Sequence, residues 1–207
     1  MIVRLSIGPV VVQSYDGREV RTAAHKHPVE SARLLALGFE GDAQADLRHH
    51  GGPDKAVCVY PAEHYEYWKR LWRVDWSPGG FGENLTPDGL REEDVCIGDV
   101  LRVGSATAQV TQPRQPCSKL AARHRRPELI EAIQENGLSG YYLRVLEEGV
   151  VRVGGPCTIT GRDPGGVTVQ FANQVMFRRL PDRGSLERLL SVPALSAAWR
   201  STLSRRL

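Results

Sequence analysis

At 207 residues, with 41% hydrophobic and 25% charged side chains, the chain suits one ordinary globular domain plus an appendage, or one large all-β domain, and it is not a disordered chain. No apolar run approaches the roughly 20 residues that span a bilayer, and no secretory apolar core stands near the N-terminus, so a cytoplasmic location is expected. The net charge of +3 is uneven: residues 164–207 carry seven arginines against Asp182 and Glu187, while the other 163 residues carry a net of −2. That asymmetry points to a local partner surface in the tail and argues against a nucleic-acid-binding body.

In chain order, residues 2–13, 19–23, 56–60, 94–103, 105–111, 141–146, 150–153 and 157–160 read as short strands divided by glycine and proline. Such spacing predicts a mainly β fold, a barrel or closed sandwich. The pair 99–103 and 105–110 reads as a hairpin turning near Gly104. A helix over residues 62–73 follows Pro61, with Tyr65, Trp68 and Trp72 on one face as core and His64 as a surface residue. A second helix over 127–136 stops at Gly137. The turn-rich stretch 161–166 then divides a β domain, 1–163, from a helical domain, 164–207. There, Thr168 caps a helix running to about Arg179, Ser185 caps a second helix after the turn 181–184, and Pro193 opens a third. Three short helices bury little core alone, so they are expected to pack on the β domain.

Three clusters carry possible chemistry. Gln112-Pro113-Arg114-Gln115-Pro116-Cys117-Ser118-Lys119-Leu120 presents a cysteine where two prolines end a strand. Arg114, Lys119, Arg123, Arg125 and Arg126 surround it, with no acid before Glu128. Positive surroundings favour thiolate, the nucleophilic and metal-binding form. A buried structural cysteine beside a solvated basic turn is the plainer alternative. The four cysteines lie 38, 21 and 40 residues apart, which suggests free thiols and no zinc framework.

The second cluster runs from Gly41-Asp42 through Asp46, Arg48, His49-His50-Gly51-Gly52 and Asp54-Lys55. Paired glycines beside basic side chains can form a backbone nest for phosphate, with His50 or Lys55 adding charged hydrogen bonds; a glycine turn with a polar rim fits the same residues. The third is Gly79-Gly80-Phe81-Gly82-Glu83-Asn84-Leu85. Its glycines allow close backbone approach, and Asn84 and Glu83 can meet a heterocycle edge; a long flexible loop with a few polar residues fits the same stretch.

Taken together, these clusters resemble the MOSC-domain family of the YiiM type. The resemblance rests on Gly41-Asp42, Asp46, His50-Gly51-Gly52-Pro53-Asp54-Lys55-Ala56-Val57 and Tyr60, on Phe81-Gly82-Glu83-Asn84-Leu85 with Ile97-Gly98-Asp99, and on the segment around Cys117. The tail after Gly166 is similar to the three-helix domain often appended to that type. The resemblance implies a barrel-like β fold that binds the molybdenum cofactor, or molybdopterin, with Cys117 as metal ligand and catalytic centre. Arg114, Lys119, His50, Gly51, Gly52, Lys55, Asn84 and Asp46 become the cofactor-binding candidates. Thiolate suits a thiolate-rich metal centre, and Arg114 a bidentate anion contact. Family members of this type reduce N-hydroxylated compounds such as hydroxylaminopurine, a detoxifying step. The sequence holds no dinucleotide fingerprint and no iron–sulfur cysteine set, so a flavoprotein or ferredoxin-type electron donor is expected, with the basic tail as its docking surface. A persulfide or cofactor carrier that turns nothing over stays open as the alternative.

Overall fold

The computed structural model describes all residues except 16, 46–50 and 178–181, together with the Arg18 backbone but not its side chain. Thirteen strands and six α-helices are found among the described residues. The main sheet has eight strands, in the order β13 (Cys157–Gly161), β9 (Val100–Val103), β10 (Ala106–Pro113), β11 (Tyr141–Glu147), β7 (Val57–Val59), β8 (Leu85–Pro87), β1 (Ile2–Ile7) and β4 (His27–Pro28). Among the described residues, β7 and β8 are the one parallel pair of this sheet. A three-stranded sheet, β12 (Gly149–Arg152), β5 (Ser31–Leu35) and β6 (Gly38–Phe39), and a separate hairpin of β2 (Val11–Tyr15) and β3 (Arg18–Thr22) complete the β structure.

The expectation of a closed barrel needs correction: among the described residues no ladder joins β13 to β4. The two halves of the sheet are tied more sparsely. Ile2 N donates to Gly155 O at 3.0 Å and Gly154 N donates to Ile2 O at 2.9 Å. The fold is therefore a mixed, sheet-dominated one.

Several expected elements are shorter than the hydrophobic pattern suggested. The run 2–13 breaks at Gly8, where a Cβ would lie 2.8 Å from His25 O. Residues 94–98 turn because Asp99 folds back on them, its Oδ2 accepting from Cys96 N at 2.9 Å. The hairpin near Gly104 forms as expected, pairing Val103 with Ala106. Helix α1 (Glu63–Trp72) and helix α3 (Leu129–Asn136, ending at Gly137 in the left-handed region) match the sequence reading closely. Helix α2 (Ser118–His124) was not foreseen, because Pro116 and the basic run read as loop. His64 is not a surface residue: it is 2% exposed and bonds Glu92 Oε2 at 2.7 Å.

In the tail, α4 (Val169–Phe177) starts where Thr168 Oγ1 accepts from Phe171 N. Asp182, not Ser185, caps α5 (Arg183–Leu190), and the third helix, α6 (Ala197–Ser204), opens after Ser196 as its cap and not at Pro193. Asp and Ser are equally able caps, and here Ser185, three residues on, supplies the N–H that the Asp182 carboxylate accepts. The three helices pack on the sheet as expected, and they share its core. Met176, Leu189, Trp199 and Leu203 belong to the same buried cluster as Leu101, Val110 and Leu143. Backbone bonds cross the seam as well, Ser196 N donating to Thr111 O and Ile97 N to Val167 O. A second cluster, Tyr60, Tyr65, Trp68, Phe81, Leu120, Leu129 and Ile133, fills the space among α1, α2 and α3. No helix among the described residues is long and apolar enough to cross a membrane.

Candidate functional site

Strand β10 ends at Pro113, and the chain leaves the sheet through Arg114 to start α2. Cys117 occupies the N-cap of that helix, with extended backbone (φ −123°, ψ 159°) and no side-chain cap bond. Leu120 and Ala121 bury the inner face of α2, which leaves Cys117 and Lys119 beside a cleft. That cleft opens to solvent and encloses a cavity of about 90 Å³. Its walls are residues 22–24 and Lys26, Asp42 and residues 43–45, Lys55, Cys58 on β7, Gly82 and Asn84, Arg114, Cys117, Lys119 and Leu120, and Tyr142 on β11. Gly82 sits at φ 72°, and a Cβ there would lie 2.9 Å from that of Ala24. Glycine is thus required for this turn to close against residue 24.

Five of the expected site residues meet here: Cys117, Arg114, Lys119, Lys55 and Asn84. Gly51 and Gly52 do not line the cleft, although Gly52 has the positive φ of 92° that a glycine turn supplies. Asp46 and His50 lie outside the described residues. Lys26, Cys58 and Tyr142 are among the wall residues that were not expected as binding residues. Tyr142 and Cys58 are a cross-strand pair, and nothing local in sequence aligns two strands 84 positions apart with the cleft.

Arg114 is 8% exposed, and its Nη1 is buried with no hydrogen-bond partner. Burial acts against its charge, but Cys58, Tyr142, Cys117 and Glu83 outweigh it and hold its pKa above the ordinary arginine value. Burial pushes the Cys58 thiol up, against the opposing pull of Arg114. Cys58, Cys96 and Cys157 are buried, whereas Cys117 is half-buried, and all four are free.

Two expected ligand contacts prove to be engaged within the protein. Lys119 Nζ donates to Arg21 O at 3.0 Å, so it fastens the end of the β2–β3 hairpin beside the cleft. Asn84 is 5% exposed; its Oδ1 accepts from Cys58 N at 3.1 Å and its Nδ2 donates to Asp42 Oδ2 at 2.8 Å. Asp42 in turn pairs with Lys26 and accepts from Gly8 N. Glu83 does not line the cleft, and its Oε2 is buried without a hydrogen-bond partner. Fully buried, its Oε1 accepts from Gly79 N, the Tyr65 hydroxyl and the Thr86 hydroxyl, which shapes the glycine turn. Among the described lining residues, four cations (Lys26, Lys55, Arg114 and Lys119) face a single carboxylate, Asp42. A cleft of that balance selects an anionic ligand.

Comparison with known proteins bears on this cleft. A MOSC domain model matches residues 46–158, and a YiiM-like, 3-alpha helix domain model matches residues 167–207. The uncharacterized protein YflK of Bacillus subtilis is 46% identical over 206 residues, covering 99% of this chain and 93% of that protein. A more distant relative named reductase, from Gibberella moniliformis, is 31% identical over 70% of this chain and 27% of its own length. The crystal structure of YiiM from Geobacillus stearothermophilus superposes with a TM-score of 0.84 at 38% identity, covering 99% of this chain and 97% of that one.

Proposed function

This chain belongs to the MOSC-domain family, and on that premise we propose that its cleft binds the molybdenum cofactor beside Cys117, and that the protein reduces N-hydroxylated compounds such as hydroxylaminopurine-type bases with electrons from a separate redox protein. The observation that carries this reading is the meeting in one cleft of the half-buried Cys117 thiol and Arg114, whose Nη1 is buried without a partner. A charged nitrogen left without an acceptor is costly inside a protein, and an anionic group of a bound molecule relieves that cost.

The residues fit the cofactor on chemical grounds. Cys117 supplies a soft sulfur ligand for the metal. Arg114 and Lys55 supply positive charge for a phosphate, Arg114 through its planar fork. When bound, the cofactor supplies the two-electron chemistry, and the protein supplies binding, orientation and charge. The conversion takes R–NHOH, two electrons and two protons to R–NH₂ and water. Burial raises the Tyr142 hydroxyl above the usual tyrosine range, so it keeps its proton as a neutral donor in the wall. Lys26, neutralised by Asp42, stiffens the opposite wall without adding net charge.

The test is elemental analysis of protein from a molybdate-replete host, followed by reduction of hydroxylaminopurine with a reduced viologen. Bound molybdenum and amine product are expected, both lost in Cys117→Ser. Parent-rate reduction by Cys117→Ser overturns the ligand assignment. Molybdenum binding with no turnover favours a carrier instead.

A further inference from the structure

Beyond the cleft, Cys117 also packs against the aromatic cluster among α1, α2 and α3. From there, rings continue outward in contact. Phe81 lies 5.1 Å from the His124 ring, His124 lies 4.1 Å from Trp76, and Trp76 lies 5.7 Å from Trp72. Trp72, Val74 and Trp76 are half-buried, and Leu71 beside them is 51% exposed. These residues form a partly exposed apolar face at the end of α1.

Its rim is basic, and held that way at a conformational cost. Of the three non-glycine residues with positive φ among the described residues, two are arginines at this rim: Arg73 (φ 53°) ends α1 and Arg125 (φ 51°) ends α2. Glycine is the favoured residue at such a helix end, and an L side chain there is strained. Arginine at both ends puts exposed charge on either side of the tryptophans, and the Arg126 guanidinium lies over the Trp72 ring at 5.7 Å. Lys69 and Arg126 are paired with Asp75 at 3.7 Å and Glu128 at 3.2 Å, so the net positive charge of the rim comes from Arg73 and Arg125.

In the tail, four of the described arginines are engaged within the protein. Arg188, Arg200 and Arg206 donate to backbone carbonyls, and Arg183 pairs with Glu187. Those guanidiniums cap and pin helices.

We propose that the Trp72–Trp76 face, rimmed by Arg73 and Arg125, is the docking site for a small acidic electron-transfer protein. The inference rests on the reductase reading above. Electron-transfer encounters are small, under about 1,200 Å², which suits a helix end and a short loop. Acidic partners are steered to such a rim, and the attraction fades with salt.

Binding, not turnover, tests the surface. The full chain is titrated with an acidic [2Fe–2S] ferredoxin and with an acidic flavodoxin at low and high salt, following tryptophan fluorescence and calorimetry. Arg73→Gly/Arg125→Gly is the informative variant, because glycine relieves both strained positions and the fold is kept. At low salt it is expected to bind roughly five- to tenfold more weakly, with no fall in melting temperature. Arg183→Ala/Arg205→Ala in the tail is expected to bind as the parent does. Binding by neither probe, equal binding by the rim variant, or loss confined to the tail variant overturns the proposal. Viologen-driven reduction separates the two readings: a chain that reduces substrate yet binds neither probe sinks the surface alone, and one that binds but reduces nothing sinks the reductase.

Discussion

Asn84 holds Asp42 in place, donating from Nδ2 to Oδ2 at 2.8 Å while its Oδ1 accepts from Cys58 N at 3.1 Å. One amide thereby joins the wall carrying the Lys26–Asp42 pair to strand β7. Asn84→Ala leaves a carboxylate oxygen and a backbone N–H without partners, and should cost about 2–4 kcal/mol. Asn84→Asp should cost more, since two carboxylates then face each other. Urea unfolding with an unchanged slope checks both; parent stability in Asn84→Ala would mean the amide is idle.

Arg114 predicts the opposite sign. Its buried Nη1 has no partner, so Arg114→Met should leave the cofactor-free protein as stable as the parent, or up to about 2 kcal/mol more stable. The same change should weaken cofactor retention by ~10²-fold or more. Thermal melts of the cofactor-free protein and molybdenum content of the loaded protein read the two effects separately. A large loss of stability without cofactor would make Arg114 a structural residue.

His124 gives a pH dependence. Burial first, and the neighbouring Arg123 second, push its imidazolium down to about 4, so it is neutral at pH 7 with Nε2–H donating to Gly80 O at 3.0 Å. A folded pKa below the unfolded ~6.5 means that the unfolded chain takes the proton first. Stability is therefore full above pH 6.5 and falls as pH drops towards 4, by ~2–3 kcal/mol for this group. His124→Gln keeps a donor for Gly80 O and removes the titration. Its stability should be flatter over that interval in urea melts at stepped pH; an unchanged slope would assign the loss elsewhere.

The tail predicts a failure to separate. Val169, Met176, Leu189, Trp199 and Leu203 are buried in one cluster with the sheet, and each fully buried apolar side chain contributes roughly 1.5–3 kcal/mol. Ending the chain at residue 163 should uncover that surface and abolish the cooperative melt, with aggregation on size exclusion. A monomeric, cooperatively melting fragment would show that the sheet stands alone.

The sequence by itself determined what is local. The hairpin at Gly104, the helix after Pro61, the stop at Gly137 and the signature around Cys117 each depend on residues a few positions apart, where turn chemistry and hydrophobic period act directly. It also determined the family, since three signatures occur in order. Only the tertiary structure decided which charges remain available to a ligand. Lys119 and Asn84 looked like ligand groups in sequence; in the structure Lys119 lines the cleft while also donating to the Arg21 carbonyl, and Asn84 is held by the Asp42 carboxylate and the Cys58 amide. Arg114 alone keeps a buried nitrogen without a partner in the described cleft. The reason is that hydrogen-bond satisfaction is a property of space: a side chain's partners come from strands distant in the chain, and no spacing along it reveals whether an acceptor has already been supplied.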